Sequence, residues 1–213
     1  MKKATVFLSL VSAILISCGP TSEAPESNST TSKDAVIENI MSRRSIRKYK
    51  NEAIDSTSMR EILTCGIQAP NGQGRESWEI RVVNDKELID RIDSAYSDYA
   101  ENTMKTGKPT RKASYGAPAL VFIAYDTTYD LSQVDCGLLG ENMILAANSM
   151  GIGSCCLGGL CRFINSEEGA EILQKLKLPS THKLLYAIAF GYPDEKPAQK
   201  TRNWDRIQFI ENN

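Results

Sequence analysis

Residues 119–125 read Ala119-Leu120-Val121-Phe122-Ile123-Ala124-Tyr125, an apolar run with no polar residue interleaved. A half-buried strand alternates, so an unbroken run predicts a central strand covered on both faces. Helical patterns flank it. Leu88, Ile89, Ile92, Tyr96 and Tyr99 recur at three- to four-residue spacing upstream, and Val134, Leu138, Met143, Leu145, Ala146 and Met150 mark a long helix over 131–150 downstream. That helix carries Gly137, Gly140, Ala147 and Ser149, which allow another helix to approach closely, and it reads as buried nearly all round, with Gly151 to end it.

Working outward, residues 78–83 alternate as a half-buried strand and 184–190 read as the last strand. Val36, Ile37, Ile40 and Met41 form one face of a first helix over 34–42, and Asp55 or Ser56 caps a second, striped by Met59, Ile62, Leu63 and Ile67. Residues 68–77 form a loop. The basic stretch 102–116, with Lys105, Lys108, Arg111 and Lys112 around Pro109, reads as a mobile surface segment or lid. Residues 151–161 are glycine-rich and uncharged, and a fourth helix is expected over 166–176. Residues 191–213 are polar and proline-bearing and are expected to wrap over the surface or onto a partner subunit. The mixture predicts an α+β domain with few strands and long helices.

The 213 residues include 25 basic and 26 acidic side chains with 41% apolar content, which places the chain among ordinary globular proteins. The net charge of −1 gives no sequence-wide basic field, so nucleic acid is not an expected partner. A single histidine, His182, leaves out zinc sites of the HExxH type and His-rich metal clusters, and its place at the start of the last strand suits a surface or cap residue.

Lys2 and Lys3 precede an uncharged run over 4–17 that is too short to cross a bilayer and suits a signal peptide. It ends Leu15-Ile16-Ser17-Cys18-Gly19, which resembles the lipobox of bacterial lipoproteins, where cleavage leaves a cysteine to carry lipid. The expected organisation is a signal peptide at 1–17, a Ser/Thr/Pro/Glu-rich tether at 18–33 with lipidated Cys18, and a folded domain at 34–213. Such a protein is exported and lipid-anchored in a bacterial cell envelope, touching the membrane through its anchor only. Five further cysteines, Cys65, Cys136, Cys155, Cys156 and Cys161, show neither CxxC nor ferredoxin-like spacing and read mostly as small buried residues.

Arg43-Arg44-Ser45-Ile46-Arg47 puts three guanidinium groups and a hydroxyl in one short stretch, a set that suits a phosphate dianion. Taken alone, such a run reads more readily as a solvated basic face. Three further motifs accompany it: Pro70-Asn71-Gly72-Gln73-Gly74-Arg75-Glu76-Ser77-Trp78, the loop from Gly151 to Gly159, and Lys200-Thr201-Arg202. Together, and in this order, they resemble the nitroreductase family, in which an R-[RH]-S-x-[RK] run, an A-P-S-x-x-N-x-Q-P-W loop, a G-x-G-x-x-x-x-G loop and a C-terminal K-x-R bind one FMN. The resemblance spans nearly the whole folded part.

It implies a nitroreductase-like α+β fold, a central, mostly antiparallel sheet flanked by helices, in an intertwined homodimer. It also implies that Arg43, Arg44, Ser45 and Arg47 contact the phosphate, ribityl chain and pyrimidine edge of FMN, with Lys200 and Arg202 completing the phosphate cradle. Gly158 and Gly159 would bring backbone close to the flavin ring. Lys112 falls near a family lysine that contacts flavin, and Pro70, Asn71, Gly72 and Gly74 would complete the site of the other subunit. Two departures stand out: Asn71 replaces the usual serine, while Gly74 and Glu76 replace the usual asparagine and glutamine.

The implied activity is FMN-dependent, NAD(P)H-driven, ping-pong two-electron reduction of nitroaromatics, quinones or similar small aromatic acceptors, with no side chain needed as catalyst. Reduced nicotinamide is scarce outside the cytoplasm and the leader has no twin arginine, so cofactor acquired after export and a quinol donor are expected alongside the lipobox. Alternatives are a membrane-tethered flavin-binding protein, a flavin-dependent reductive dehalogenase with a non-NAD(P)H donor, and a thiol peroxidase using Cys155 or Cys156.

Overall fold

The computed structural model describes residues 31–104 and 111–211. The leader, Cys18 and most of the tether lie outside the described residues, as do Lys105, Lys108 and Pro109 of the basic stretch. Among the described residues four strands, β1 (Trp78–Val83), β2 (Ala119–Asp126), β3 (Gly153–Leu157) and β4 (His182–Gly191), form one sheet in the order β1-β2-β4-β3, antiparallel at each pairing. The helices are α1 (Ser32–Ser42), α2 (Ser56–Ile67), α3 (Lys86–Met104), α4 (Ser132–Ser149), α5 (Gly158–Ile164) and α6 (Ala170–Leu176).

The apolar run of β2 is explained by two cores on opposite faces of the sheet. Leu120, Phe122 and Ala124 pack with Ile89 and Ile92 of α3, Leu160 and Phe163 of α5, and Ile172 of α6. Ala119, Val121 and Ile123 point the other way, onto Met59 and Ile62 of α2 and Leu139 and Met143 of α4. Alternate side chains of one strand thus serve both layers, and none can be polar.

Several elements differ from the sequence expectation. Thr31 caps α1, its Oγ1 accepting from Asp34 N at 3.2 Å, so the helix begins at Ser32, inside the expected tether. The stripe of α1 is not core: Val36, Ile37, Ile40 and Met41 are all exposed. The helix is instead tied to α4 by amides, Asn39 Nδ2 donating to Leu145 O (2.9 Å) and Asn148 Nδ2 donating to Asn39 O (3.0 Å). Nor is α4 buried all round, because Val134 and Leu138 face outward with Leu131 while Cys136, Leu139, Gly140 and Met143 face the sheet.

Residues 151–161 hold a whole strand and the first turn of a helix, with α6 starting at Ala170 after a break at Asn165 to Gly169. His182 opens β4, half-buried, with its Nδ1 3.0 Å from Thr181 Oγ1.

Candidate functional site

The stretch from Arg43 to Arg47 is an extended strap laid along the free edge of β3. Ile46 N donates to Ser154 O at 2.9 Å, and Tyr49 Oη donates to Ile46 O at 2.7 Å. Ile46 is buried between the strap and the sheet, and the strand beneath it is glycine where they meet: a Cβ at Gly153 would stand 2.7 Å from Ile46 Cγ1. With Ile46 turned inward, the side chains on either side face out.

The chain leaving β4 returns along this strap. Lys50 N donates to Tyr192 O (2.9 Å) and Asp194 N donates to Lys48 O (2.9 Å), so residues 192–194 pair with 48–50. That pairing carries residues 197–202 back over the arginines. The result is a cleft of about 450 Å³ lined by Ile40, Met41, Arg43, Arg44, Ser45, Arg47, Pro197, Ala198, Gln199, Lys200 and Arg202. Each residue assigned by the sequence to a phosphate cradle lies on this one cleft, although more than 150 positions separate the two groups. No carboxylate lines it among the described residues. Five cations without a lining counter-charge create a local positive field that the net charge of the chain conceals.

Individual cations differ. Arg44 Nη1 donates to Met41 O (2.7 Å) and Arg43 O (2.8 Å), closing the end of α1. Arg43 Nε stands 3.9 Å from Glu141, a loose pair across to α4. Arg47 is raised above its ordinary pKa, first by the neighbouring Cys155, against the cost of burial, and further by Tyr115 and Glu195. The backbone N–H of Arg47 donates to the Glu195 carboxylate. Glu195 and Tyr115 were not singled out by motif; the one signal for Tyr115 was its place before a glycine in the turn leading to β2.

Gly158 and Gly159 open α5, whose first residues have no side-chain cap. A Cβ at Gly158 would meet nothing within 4 Å, so packing inside this chain does not demand glycine there. Gly72 is the opposite case: a Cβ would fall 2.2 Å from Tyr129 Oη, a close approach that requires its absence. Gly72 N donates to the buried Asp135 at the start of α4 (3.0 Å), Asn71 Oδ1 accepts from Glu76 N (2.9 Å), and Arg75 stacks 4.4 Å from the Tyr129 ring centroid. The 70–74 loop therefore sits at the beginning of α4 and lines no part of the arginine cleft. Lys112 also stands apart, pairing with Asp90 at 3.4 Å in a separate hollow of about 280 Å³ lined by Lys50, Asp93 and Ser114.

The thiols offer little chemistry of their own. Cys155 is buried, and burial pushes its thiol up in spite of Arg47; the same desolvation raises Cys156, with Arg43 opposing. A peroxidatic cysteine needs a stabilised thiolate, the reverse of this environment.

A model of the Nitroreductase family matches residues 40–192. Among similar proteins, an oxygen-insensitive NADPH nitroreductase of Salmonella typhimurium is 33% identical over 172 residues, 78% of this chain and 69% of that protein. The crystal structure of a nitroreductase with bound FMN from Bacteroides fragilis has 28% identity and a TM-score of 0.75, covering 83% of this chain and 98% of the other. Another with bound FMN, from Desulfitobacterium hafniense, has 26% identity and a TM-score of 0.73 over 83% and 98% of the two chains.

Proposed function

The chain belongs to the nitroreductase family, and on that premise we propose that it is an FMN-dependent oxidoreductase passing two electrons to a small aromatic acceptor such as a nitroaromatic or a quinone. The observation that carries this reading is the convergence of Arg43, Arg44, Ser45, Arg47, Lys200 and Arg202 on one cleft. Its donor set fits a phosphate monoester: fork-shaped guanidinium groups, an ammonium and a hydroxyl, with no lining carboxylate to repel it. The open surface at Gly158 fits the approach of a flat ring.

FMN, when bound, supplies a ring that takes up and returns an electron pair. The residues hold and tune it. Arg43, Arg44, Lys200 and Arg202 neutralise the phosphate, and Ser45 adds a donor. Arg47, beyond them on the strap, would supply positive charge to a ring bound there and so favour its reduced form. Donor and acceptor would use the same open face in turn, which is ping-pong behaviour. Anaerobic mixing tests it: NADH or NADPH bleaches the flavin, and a nitroaromatic or quinone restores the colour. Flavin that is held but never turned over would favour a flavin-binding protein instead.

We further propose a homodimer. Val36, Ile37 and Ile40 of α1, Leu131, Val134 and Leu138 of α4, and Trp204, Ile207, Phe209 and Ile210 of the tail are exposed, the last two by 85% and 87%. Surfaces of this kind mark association. A two-fold partner would also let the 70–74 loop, which misses the cleft of its own chain, reach that of the other. Light scattering should give twice the monomer mass, and Leu138→Lys should halve it.

For the leader we propose cleavage and lipidation at Cys18, placing the domain at a bacterial envelope where a quinol is a donor within reach. Labelling by a fatty-acid analogue, abolished in Cys18→Ser, tests the anchor. A quinol that leaves the flavin oxidised while NADH reduces it readily would overturn the donor assignment.

A further inference from the structure

The turn leading into β2 is held in a backbone form that its sequence does not favour. Tyr115 takes φ +56, in the left-handed region, and Gly116 follows at φ +77. A bulky residue there marks a conformation over-determined by its surroundings, and such positions cluster at functional sites. Here the determinant is visible. Asp93 of α3, only 5% exposed, accepts from Ser114 N through Oδ1 (2.8 Å) and from Ser114 Oγ through Oδ2 (2.7 Å). Ser114 Oγ in turn accepts from Gly116 N at 3.0 Å. A buried carboxylate thus clamps the residues on both sides of Tyr115.

The side chain so presented meets the strap. The Arg47 guanidinium carbon lies 6.0 Å from the centroid of the Tyr115 ring, at the range of a cation–π contact. Arg47 is exposed, and among the described residues its guanidinium hydrogen-bonds only to Ser45 O, at a long 3.4 Å, so no other short side-chain contact holds its head group beside the ring. We infer that Tyr115 is a positioning residue, held by the Asp93–Ser114 clamp so that its ring fixes Arg47 on the cleft where the cofactor's ring end is expected. This rests on the FMN reading of that cleft. Tyr115 touches no reacting atom; it acts through Arg47, on cofactor affinity and on how strongly the reduced form is favoured.

The test uses the purified full chain in four forms: wild type, Tyr115→Leu, Arg47→Ala, and the double variant. Flavin-fluorescence titration reads FMN affinity, and equilibration with redox dyes reads the midpoint potential. Melting of the flavin-free protein reports folding, with Tyr115→Phe as the variant that keeps the aromatic face. Tyr115→Leu should weaken FMN binding about two- to five-fold, the scale of a cation–π contact at an exposed site, and lower the midpoint potential, while Tyr115→Phe stays near wild type. In the Arg47→Ala background the Tyr115→Leu change should cost nothing further, because the group it acts through is gone. An undiminished effect in that background, or wild-type affinity and potential in Tyr115→Leu, overturns the positioning role. Absence of FMN binding by the wild type overturns the reading of the cleft instead.

Discussion

Gly153→Ala adds one methyl group beneath the strap and should damage both stability and cofactor binding. The new Cβ would stand 2.7 Å from Ile46 Cγ1, 3.0 Å from Ile46 Cβ and 3.0 Å from Pro193 Cγ. Carbon atoms in contact sit about 3.5–4.0 Å apart, so roughly 1 Å must be found. Rotating Ile46 relieves only the first contact, because its Cβ is fixed to the backbone, and the Pro193 ring does not yield. The strap itself must lift. Overpacking of this kind costs about 1–3 kcal/mol, and a chain of this size loses roughly 2–4 °C of Tm per kcal/mol. The expected fall is therefore about 2–12 °C for the flavin-free protein by circular dichroism. Because Arg43, Arg44, Ser45 and Arg47 ride on the strap, FMN affinity should fall with it. Alanine on an open edge strand would otherwise be favourable, so unchanged Tm and unchanged affinity would refute the packing of strap against β3.

Gly158→Ala should separate the two effects: with nothing within 4 Å of its Cβ, melting stays the same or rises by up to about 1 kcal/mol of stability, while FMN affinity drops. Arg202→Ala should weaken FMN binding about ten-fold, the scale of one charge-assisted hydrogen bond, with no change in the far-ultraviolet spectrum, and added salt should weaken the wild type more than the variant. Burial pushes the thiols of Cys136 and Cys161 up to about 12. The unfolded chain then releases these protons first as pH rises, so this part of the stability is complete below the ordinary thiol range and is lost on approaching pH 12. Denaturant midpoints measured from pH 8 to 11 should fall less steeply in Cys161→Ala. In the native protein a thiol reagent should modify Cys156, which is exposed, well before Cys136 or Cys161, and alkylation at Cys156 should leave thiol chemistry irrelevant to turnover.

Elements with a strong period or an unbroken run were legible in the sequence. The β2 run lies where the pattern places it, because both its faces are core, and β1 and α2 occupy the expected residues, although burial along β1 does not alternate and Ile67 of the α2 stripe is exposed. The pattern failed where pairing rather than composition makes the structure. In β3, Gly-Ser-Cys-Cys-Leu carries weak strand preference and is a strand because it pairs with β4. For α1 and α4 an apolar side chain was taken as buried, whereas Ile40, Val134 and Leu138 lie on the surface.

The candidate site divides in the same way. Its cations could be named from motifs, but their meeting depends on the return of residues 192–194 alongside 48–50, a long-range pairing that leaves no local trace. Lys112 stands in a different hollow beside Asp90. The glycines looked alike in the sequence, yet Gly72 and Gly153 are demanded by neighbours and Gly158 is not. Nothing local in the sequence marks Tyr115, whose place is set by a backbone angle and a buried carboxylate on α3.

The arginine cleft should hold FMN in a form that can be reduced. The purified protein is mixed with FMN, passed through a desalting column and examined by visible absorption before and after anaerobic addition of NADH, then of a quinol. Flavin bands should elute with the protein and bleach with one of these donors. Protein that emerges colourless would contradict this.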